Sequence, residues 1–193
     1  MRRARHLPLP LQSNERKHHS KFLSLLLRHR PELAGLQLDA AGWVDVEVLL
    51  AGLARSGQPL TREQLLEIVA TNDKKRFELD ASGERIRAVQ GHSVEVDLGY
   101  APAVPPDVLL HGTHTAVLSA IRRQGLLRMQ RHHVHLHHDP ALAATVGGRR
   151  GQPVVLRVRA AAMAAAGHVF FVTPNRVWLT EHVPPEFLEF PSA

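Results

Sequence analysis

The sequence predicts an α+β chain with two lobes: a helical lobe that closes with a β-hairpin, and a second lobe in which short strands and helices alternate. Three helix-forming segments precede the first strand-forming ones. Proline then accumulates between residues 97 and 107 without helical or strand periodicity, which is typical of a linker. Beyond this segment, apolar runs of strand length alternate with short helical stretches.

Helical spacing and end signals define three helices in the first lobe. The first begins at Ser20 and stops at Pro31, because the residue before a proline avoids helical backbone. The second runs from about Asp45 to a terminating Gly57. The third begins with a capping-box pattern at residues 61–64.

A β-hairpin follows the third helix. Apolar and polar residues alternate over residues 77–80 and again over 86–88, and an Ala-Ser-Gly turn separates the two runs. Three helices followed by a hairpin favour a winged-helix module, which we assign to residues 20–97. Residues 1–19 carry prolines and a basic polar run and are predicted to be a flexible arm, while residues 98–107 form the linker.

The second lobe, residues 108–193, is predicted to be mixed and dominated by strands. In chain order its expected elements are a strand at 108–112, a helix from about Thr115 to Gln124, a strand over 131–138, a short helix opened by Asp139 and Pro140, a strand at 153–159, an alanine-rich turn, and two final strands at 168–173 and 176–183. The sequence has no Walker-type or Rossmann-type glycine loop, so a dinucleotide bound here would not lie on a Rossmann fold.

The charge of the chain favours a nucleic-acid partner. Its 193 residues carry a formal charge of +6 and include 14 histidines, although an arginine-rich composition without such a partner is the alternative. The absence of cysteine excludes disulfides, thiolate nucleophiles and cysteine-ligated zinc, and it fits a cytoplasmic location. No run of 18 apolar residues and no secretory signal occurs, so no membrane association is expected.

Two groups of cations in the first lobe are candidate phosphate ligands. Arg28 and His29 lie at the end of the first helix, near the margin of its apolar face. Cations at a helix C-terminus also stabilise the helix dipole, and that structural role is the alternative. Lys74 and Arg76 belong to a basic run before Phe77, which either holds a phosphate or forms a solvated turn.

The histidine-rich tract RHHVHLHH, residues 131–138, is the most informative segment. In a strand, Arg131, His133, His135 and His137 would share one face, and the apolar residues between them would join a core on the other. Alternate strand histidines can also share a metal ion, which is the alternative, but no cysteine or carboxylate pattern accompanies them.

A His-Gly-Thr sequence at residues 111–113 follows the apolar run VLL and precedes the predicted helix. Gly112 permits a close approach of the backbone to a ligand, and His111 and Thr113 can bond a ribose or an amide. A plain strand-to-helix turn is the alternative.

Taken in order, these segments resemble the motif series of the RNA 2'-phosphotransferase family. The resemblance rests on SKFLSLLLRHRPELAGLQLDAAGWVDVEVLL, KKRFEL, IRAVQGHS, HGT, GLLRMQRHHVHL and NRVWLT, and it covers about residues 20–188. It implies an N-terminal winged-helix lobe followed by a C-terminal ADP-ribosyltransferase-like lobe of mixed α/β structure. The implied substrates are RNA that bears a 2'-phosphate, and NAD.

The resemblance also assigns roles to individual residues. It implies a catalytic group formed by Arg28, His29, Arg76 and Arg131, with Lys74 as a supporting phosphate ligand. It implies an NAD-binding set formed by His111, Gly112, Thr113, His133 and His135. This sequence departs from the family pattern at His137, where a serine is expected, and at Arg176, where glycine is usual.

The implied reaction has two steps and uses no metal. The RNA 2'-phosphate first attacks the nicotinamide-bearing ribose carbon of NAD and expels nicotinamide, which leaves ADP-ribosylated RNA. The ribose 2''-hydroxyl then attacks phosphorus, which releases RNA with a 2'-hydroxyl and ADP-ribose 1'',2''-cyclic phosphate. The arginines are expected to position the anion and then to stabilise charge on the phosphoryl oxygens, and His29 to transfer a proton in the second step.

Two other functions stay open at this point. A DNA-binding winged-helix regulator would have a basic recognition helix, whereas residues 61–73 contain three acidic residues and one arginine. An ADP-ribosyltransferase that modifies nucleic-acid ends or protein would share the NAD lobe. That second alternative does not explain Arg28, His29 and Arg76 in the first lobe.

Overall fold

The computed structural model describes residues 11–191, with the side chain of Arg150 excepted. The chain forms two compact units, the first ending at Leu98 and the second beginning at Gly99, and each has its own hydrophobic core. Both units contain helices and strands, which confirms the predicted mixed composition. Across residues 11–191, no helix is both long and apolar enough to cross a membrane.

Three α-helices in the first unit are fixed by capping at their N-termini. The Asp45 carboxylate accepts hydrogen bonds of 2.8 and 3.1 Å from two backbone N–H groups in the first turn of the second helix. Thr61 and Gln64 exchange side-chain-to-backbone hydrogen bonds of 3.0 and 3.3 Å, which confirms the predicted capping box. The helices are α1 (Ser13–Arg28), α2 (Val46–Arg55) and α3 (Arg62–Ala70).

Helix α1 begins at Ser13, earlier than the predicted start at Ser20. The prediction of a flexible arm is therefore wrong for residues 13–19, while residues 1–10 lie outside the described part of the chain. Polar contacts extend the helix: Glu15 accepts a 2.7 Å hydrogen bond from the Gln12 N–H, and Arg16 forms a 2.7 Å ion pair with Glu67 on α3. Polar contacts of this kind produce no apolar periodicity, so the sequence pattern did not reveal this part of the helix.

A three-stranded antiparallel sheet completes the first unit. The predicted hairpin is confirmed, with Leu79 opposite Ile86, and a short strand at residues 44–45 adds to its outer edge. Leucines of α1 pack against α2, α3 and this sheet to form the first core. The strands are β1 (Val44–Asp45), β2 (Phe77–Leu79) and β3 (Arg85–Ala88), in the order β1-β3-β2.

The second unit contains three small antiparallel sheets. Their orders are β11-β7-β4, β6-β9-β8 and β10-β5. The side chains between them form the second core, which includes the fully buried Leu109, Leu136 and Leu156. The strands are β4 (Val108–His114), β5 (Leu126–Leu127), β6 (Val134–Leu136), β7 (Pro153–Arg159), β8 (Phe171–Val172), β9 (Trp178–Thr180), β10 (His182–Val183) and β11 (Leu188–Glu189).

Helices of the second unit agree with the sequence in two cases and differ in one. Helix α4 (Leu118–Gln124) follows a 3-10 turn and matches the predicted helix, and Asp139 caps α5 (Pro140–Gly147) as predicted. The alanine-rich segment forms helix α6 (Ala160–Ala165) and not the predicted turn. Alanine has the highest helix propensity, which explains this difference.

Three strand predictions for the second unit need correction. The His-Gly-Thr sequence lies inside β4, since pairing with β7 continues to His114, and does not form a strand-to-helix turn. Strand β6 has only three residues, so Arg131 and His133 precede it. The predicted strand over 176–183 is divided at Glu181 into β9 and β10, which belong to different sheets. Strand β11 was not predicted.

Helix α5 packs onto β4 at a point where two glycines face each other's backbones. A Cβ on Gly112 would lie 1.7 Å from the carbonyl oxygen of Ala143, and one on Gly147 would lie 2.3 Å from the carbonyl oxygen of Thr113. Both distances are far shorter than a van der Waals contact. The atoms that would clash belong to the backbone, so they cannot move without shifting the helix or the strand. The close approach of α5 to β4 therefore requires glycine at both positions.

Substitution of Gly112 by alanine is expected to destabilise the protein by about 3 kcal/mol or more, because the added methyl group must displace the α5 backbone. Equilibrium unfolding in urea would measure the change in the free energy of unfolding. Gly148→Ala is the matched control: it has helical backbone angles, and its Cβ would meet its nearest neighbour at 3.7 Å. Equal stability of the Gly112 variant and wild type would contradict this packing.

Candidate active site

The end of helix α1 gathers backbone and side-chain groups from three segments of the first unit. The Arg28 guanidinium donates a hydrogen bond of 3.5 Å to the backbone oxygen of Arg76, at the approach to β2. The backbone oxygen of Arg28 accepts hydrogen bonds from the N–H groups of Ser93 (2.8 Å) and Val94 (3.3 Å). These contacts bring the predicted residues Arg28 and Arg76 together.

Asn72 organises the basic run that precedes β2. Its side-chain oxygen accepts hydrogen bonds from the backbone N–H groups of Lys74 (3.2 Å) and Arg76 (3.4 Å), and from the Arg76 guanidinium (3.4 Å). Its side-chain nitrogen donates a 2.9 Å bond to Ser20 on α1. Asn72 thus fixes Lys74 and Arg76 relative to α1.

His29 lies at the C-terminus of α1 with an exposed ring. Its Nδ1 is 2.9 Å from the hydroxyl of Ser93, so the same segment that bonds the Arg28 backbone also orients this imidazole. All four predicted residues of the first unit therefore lie around the junction of α1, the 72–76 turn and the 89–94 segment.

In the second unit, His111, His135 and Arg131 form a second polar group. The Nδ1 atom of His111 is 3.0 Å from the backbone oxygen of His135, and an Arg131 guanidinium nitrogen is 3.5 Å from His135 Nδ1. Since Arg131 precedes β6, its position follows from the bend at residues 131–133 and not from strand alternation, which corrects the prediction. His133 instead contacts the Phe171 ring, with centroids 5.5 Å apart.

Burial controls the protonation of two histidines in this unit. Desolvation lowers the pKa of His111, and the positive charge of Arg131 lowers it further, while the bond to the His135 oxygen acts in the opposite direction. Because a carbonyl can only accept, Nδ1 of His111 carries the hydrogen, and the neutral ring then presents Nε2 as an acceptor. Burial also lowers the pKa of His137 to about 4.

The stability of the protein is expected to fall as the pH decreases from about 6.5 to about 4. His137 has its ordinary pKa of about 6.5 when unfolded and about 4 when folded, so the unfolded state binds more protons in this interval. The stability that is linked to the neutral, buried His137 is fully present above pH 6.5 and is lost as the pH falls toward 4. Urea unfolding midpoints across pH 4–7 would measure it, and His137→Leu should flatten the dependence; an unchanged slope in this variant would contradict the assignment.

The edge of β4 that faces away from β7 presents adjacent backbone N–H and C=O groups. Leu110 exchanges two 2.8 Å backbone hydrogen bonds with His137 on this edge, and no further pairing along it is found among the described residues. Backbone groups of alternate residues point to the same side of a strand, so Gly112 directs its N–H and C=O to this edge as well. An adjacent donor and acceptor are complementary to a carboxamide.

Comparison with known proteins identifies the family. The model of the RNA 2'-phosphotransferase, Tpt1 / KptA family matches residues 14–182. The chain is 55% identical to a probable RNA 2'-phosphotransferase of Hahella chejuensis over 89% of this chain and 92% of the relative. It is 54% identical to that of Streptomyces coelicolor over 90% and 94%. The chain belongs to the RNA 2'-phosphotransferase family. This confirms the predicted family and the predicted class of enzyme, a transferase.

Two residues that contact the predicted site were not identified from the sequence. Asn72 and Ser93 contact predicted site residues directly, but an isolated Asn or Ser carries no pattern that distinguishes it from a turn residue. The available signal was their place in the sequence: Asn72 lies two residues before KKRF, and Ser93 is the last residue of the motif IRAVQGHS. Thr113, a predicted NAD ligand, is buried within β4.

The histidines of the tract at residues 131–138 lie in different surroundings. Within residues 11–191, no group of three or more His, Asp or Glu side chains is arranged to hold a metal ion. His137 is buried beside β4, and the neighbouring His138 accepts a 2.7 Å hydrogen bond from the Trp178 indole. Members of the tract therefore serve different local contacts.

Proposed function

We propose that this RNA 2'-phosphotransferase removes an internal 2'-phosphate from RNA by transferring it to NAD, and that the products are RNA with a 2'-hydroxyl, nicotinamide and ADP-ribose 1'',2''-cyclic phosphate. The observation that carries the proposal is the family match over residues 14–182, a range that includes every predicted site residue. The contacts within each unit support it.

We propose that the first unit is a winged-helix-like lobe that begins with α1 at Ser13 and ends at residue 97, and that residues 98–107 link it to an ADP-ribosyltransferase-like lobe of residues 108–193. Three helices and a small antiparallel sheet support the first assignment. An antiparallel bridge between Leu110 of β4 and His137, the residue directly after β6, supports the second.

The cations of the first unit are proposed to hold the 2'-phosphate. A phosphate monoester carries about −1.5 to −2 charge near neutral pH, so it must exchange its water shell for several donors. Arg28 and Arg76 provide planar guanidinium groups suited to phosphate oxygens, and Lys74 adds a point charge. Asn72 restrains the Arg76 side chain, which reduces the entropy lost when the phosphate binds.

Arg131 and His29 are proposed to act on the reacting groups. Arg131 would stabilise negative charge that develops on the phosphoryl oxygens. His29, oriented by Ser93, would accept and return a proton during phosphate transfer. Its exposed ring leaves this imidazole accessible to solvent and substrate.

The residues of β4 and β6 fit the chemistry of NAD. The adjacent N–H and C=O groups of Gly112 are complementary to a carboxamide. Nε2 of the neutral His111 can accept a hydrogen bond from a ribose hydroxyl. Thr113, His133 and His135 complete the proposed set. NAD supplies the ribose carbon that accepts the phosphate and a nicotinamide leaving group.

A product assay tests this function. Purified protein would be incubated with NAD and an oligonucleotide that carries one internal 2'-phosphate, and products would be identified by mass spectrometry. Equal amounts of 2'-hydroxyl RNA and ADP-ribose cyclic phosphate are expected. A stable ADP-ribosylated oligonucleotide as the end product would indicate an ADP-ribosyltransferase and would contradict the proposal.

A further inference from the structure

A cleft of about 950 Å³ opens on the second unit, between the end of β5, the segment before β6 and the loop that follows α6. Its lining is amphipathic. Arg128, His132, His133, His168 and His182 provide nitrogen donors and acceptors, and Leu127, Val169 and Phe171 provide apolar surface. The volume is at the upper end of the range for small-molecule sites, roughly 300–1,000 Å³.

The polar side of the cleft suits a ribose-phosphate backbone. Arg128 is exposed, and its guanidinium donates a 3.4 Å hydrogen bond to the backbone oxygen of Arg131, which holds the charge at the cleft. His182 Nε2 lies 2.9 Å from the Gln124 backbone oxygen, which fixes the ring. Glu181 is the acidic residue of the lining, and its carboxylate can accept a ribose hydroxyl or a base amino group.

The apolar side of the cleft suits nucleobases. Leu127 is 48% exposed and Val169 is 50% exposed, so both present apolar surface to a ligand in the cleft. The Phe171 ring is packed edge-on against His133, with centroids 5.5 Å apart. Aromatic rings bind unstacked bases without sequence preference, and the aliphatic groups beside Phe171 add apolar surface to this side of the cleft.

The cleft overlaps only in part with the residues assigned to NAD. His111, Gly112, Thr113 and His135 do not line it, and His133 is the member of that set that does. The segment 127–133 lines the cleft and also contains Arg131, the proposed phosphoryl-stabilising residue. A chain of nucleotides that enters the cleft therefore passes next to the loop that carries Arg131.

We propose that this cleft binds the single-stranded RNA that flanks the 2'-phosphorylated nucleotide, with Arg128 on a backbone phosphate and bases against Leu127, Val169 and Phe171. The proposal rests on the proposed function for the identity of the ligand. It assigns to the second unit a role in RNA binding in addition to its role toward NAD.

Direct RNA binding tests the cleft without requiring turnover. The probe is a fluorescein-labelled, unstructured RNA decamer that has only 2'-hydroxyl groups, and fluorescence anisotropy gives its dissociation constant. Arg128→Ala is expected to weaken binding roughly fivefold to tenfold at low salt, and to reduce the slope of log K against log salt by about 0.7, as for the loss of one single-strand phosphate contact. Arg123→Ala, which removes an exposed arginine of α4 outside the cleft, is the matched control.

A second pair of variants tests the apolar side. Val169→Glu places a negative charge inside the cleft and is expected to weaken decamer binding at least tenfold. Val104→Glu is its control, because Val104 is 92% exposed and does not line the cleft. Both sites are exposed, so neither substitution disturbs a core.

The outcomes separate this inference from the proposed function. Weaker decamer binding in both cleft variants, with unchanged binding in both controls and unchanged NAD affinity, supports the proposal even if the wild type shows no phosphate transfer. Equal losses in cleft and control variants would reveal general charge attraction and overturn it. Unchanged decamer binding, or a loss of NAD affinity in Arg128→Ala, would overturn it as well.

Discussion

Replacement of Arg131 by alanine is expected to reduce the rate of phosphate transfer on the order of 10²-fold or more, comparable to the loss of one preorganised electrostatic donor. The second chemical step should be slowed more than the first. Positive charge develops on the sugar in the first step, whereas negative charge concentrates on the phosphoryl oxygens in the second. A guanidinium next to the oxygens therefore helps the second step more.

Single-turnover kinetics with end-labelled 2'-phosphorylated RNA would measure both steps. An RNA species heavier by one ADP-ribose should accumulate in Arg131→Ala before the 2'-hydroxyl product forms. The pKa of His111 should also rise in this variant, because a nearby positive charge has been removed. Arg123→Ala is the control for the loss of a surface arginine. A folded Arg131 variant that turns over slowly without accumulating this species would show that Arg131 acts before or during the first step.

Replacement of Arg28 by alanine is expected to reduce kcat/KM for 2'-phosphorylated RNA on the order of 10²-fold or more while leaving NAD binding unchanged. Arg28 is anchored through the Arg76 backbone oxygen, and a guanidinium offers two parallel donors to a phosphate. Arg28→Lys should recover only part of the activity, because an ammonium keeps the charge but not the planar pair of donors.

Steady-state kinetics of Arg28→Ala, Arg76→Ala and the double variant would test the shared role. If both residues hold one phosphate, the loss in the double variant is smaller than the product of the single losses. Arg30→Ala is the control, since Arg30 is exposed and pairs with Glu32. Wild-type kcat/KM in Arg28→Ala, or an equal loss in Arg30→Ala, would contradict the assignment.

Local signals in the sequence were sufficient for most helices and for the hairpin of the first unit. Asp45, the Thr61–Gln64 pair and Asp139 each stabilise a helix through neighbours within three residues, so the sequence contains the whole interaction. Helix α1 is extended to Ser13 partly through the Arg16–Glu67 ion pair, which joins distant positions. Such a contact cannot be read from a single sequence.

Short strands of the second unit were the least predictable elements. Strands β5, β10 and β11 have two residues each, and they exist because a partner strand lies beside them. The alternation in the histidine tract gave the correct buried positions, Val134 and Leu136, but overestimated the strand length. Arg131 therefore lies near His135 through a bend and not through strand alternation.

The candidate site residues were predicted from motifs, whereas the contacts that support them could not be predicted from the sequence. The family motif series assigned roles to Arg28 and Arg76, whereas the contacts of Asn72 and Ser93 with site residues emerged only when distant segments were brought to the end of α1. Gly112 illustrates a different limit. The sequence suggested a close approach of the Gly112 backbone to a ligand. The structure shows that glycine is needed here because the α5 backbone leaves no room for a side chain.

The NAD dependence of 2'-phosphate removal is the decisive test of the proposed function. An oligonucleotide with one internal 2'-phosphate would be incubated with the protein, with and without NAD and with a metal chelator present throughout, and formation of the 2'-hydroxyl would be scored. Conversion is expected with NAD despite the chelator, and no conversion is expected without NAD. Release of inorganic phosphate without NAD, and its loss on chelation, would contradict the proposed function.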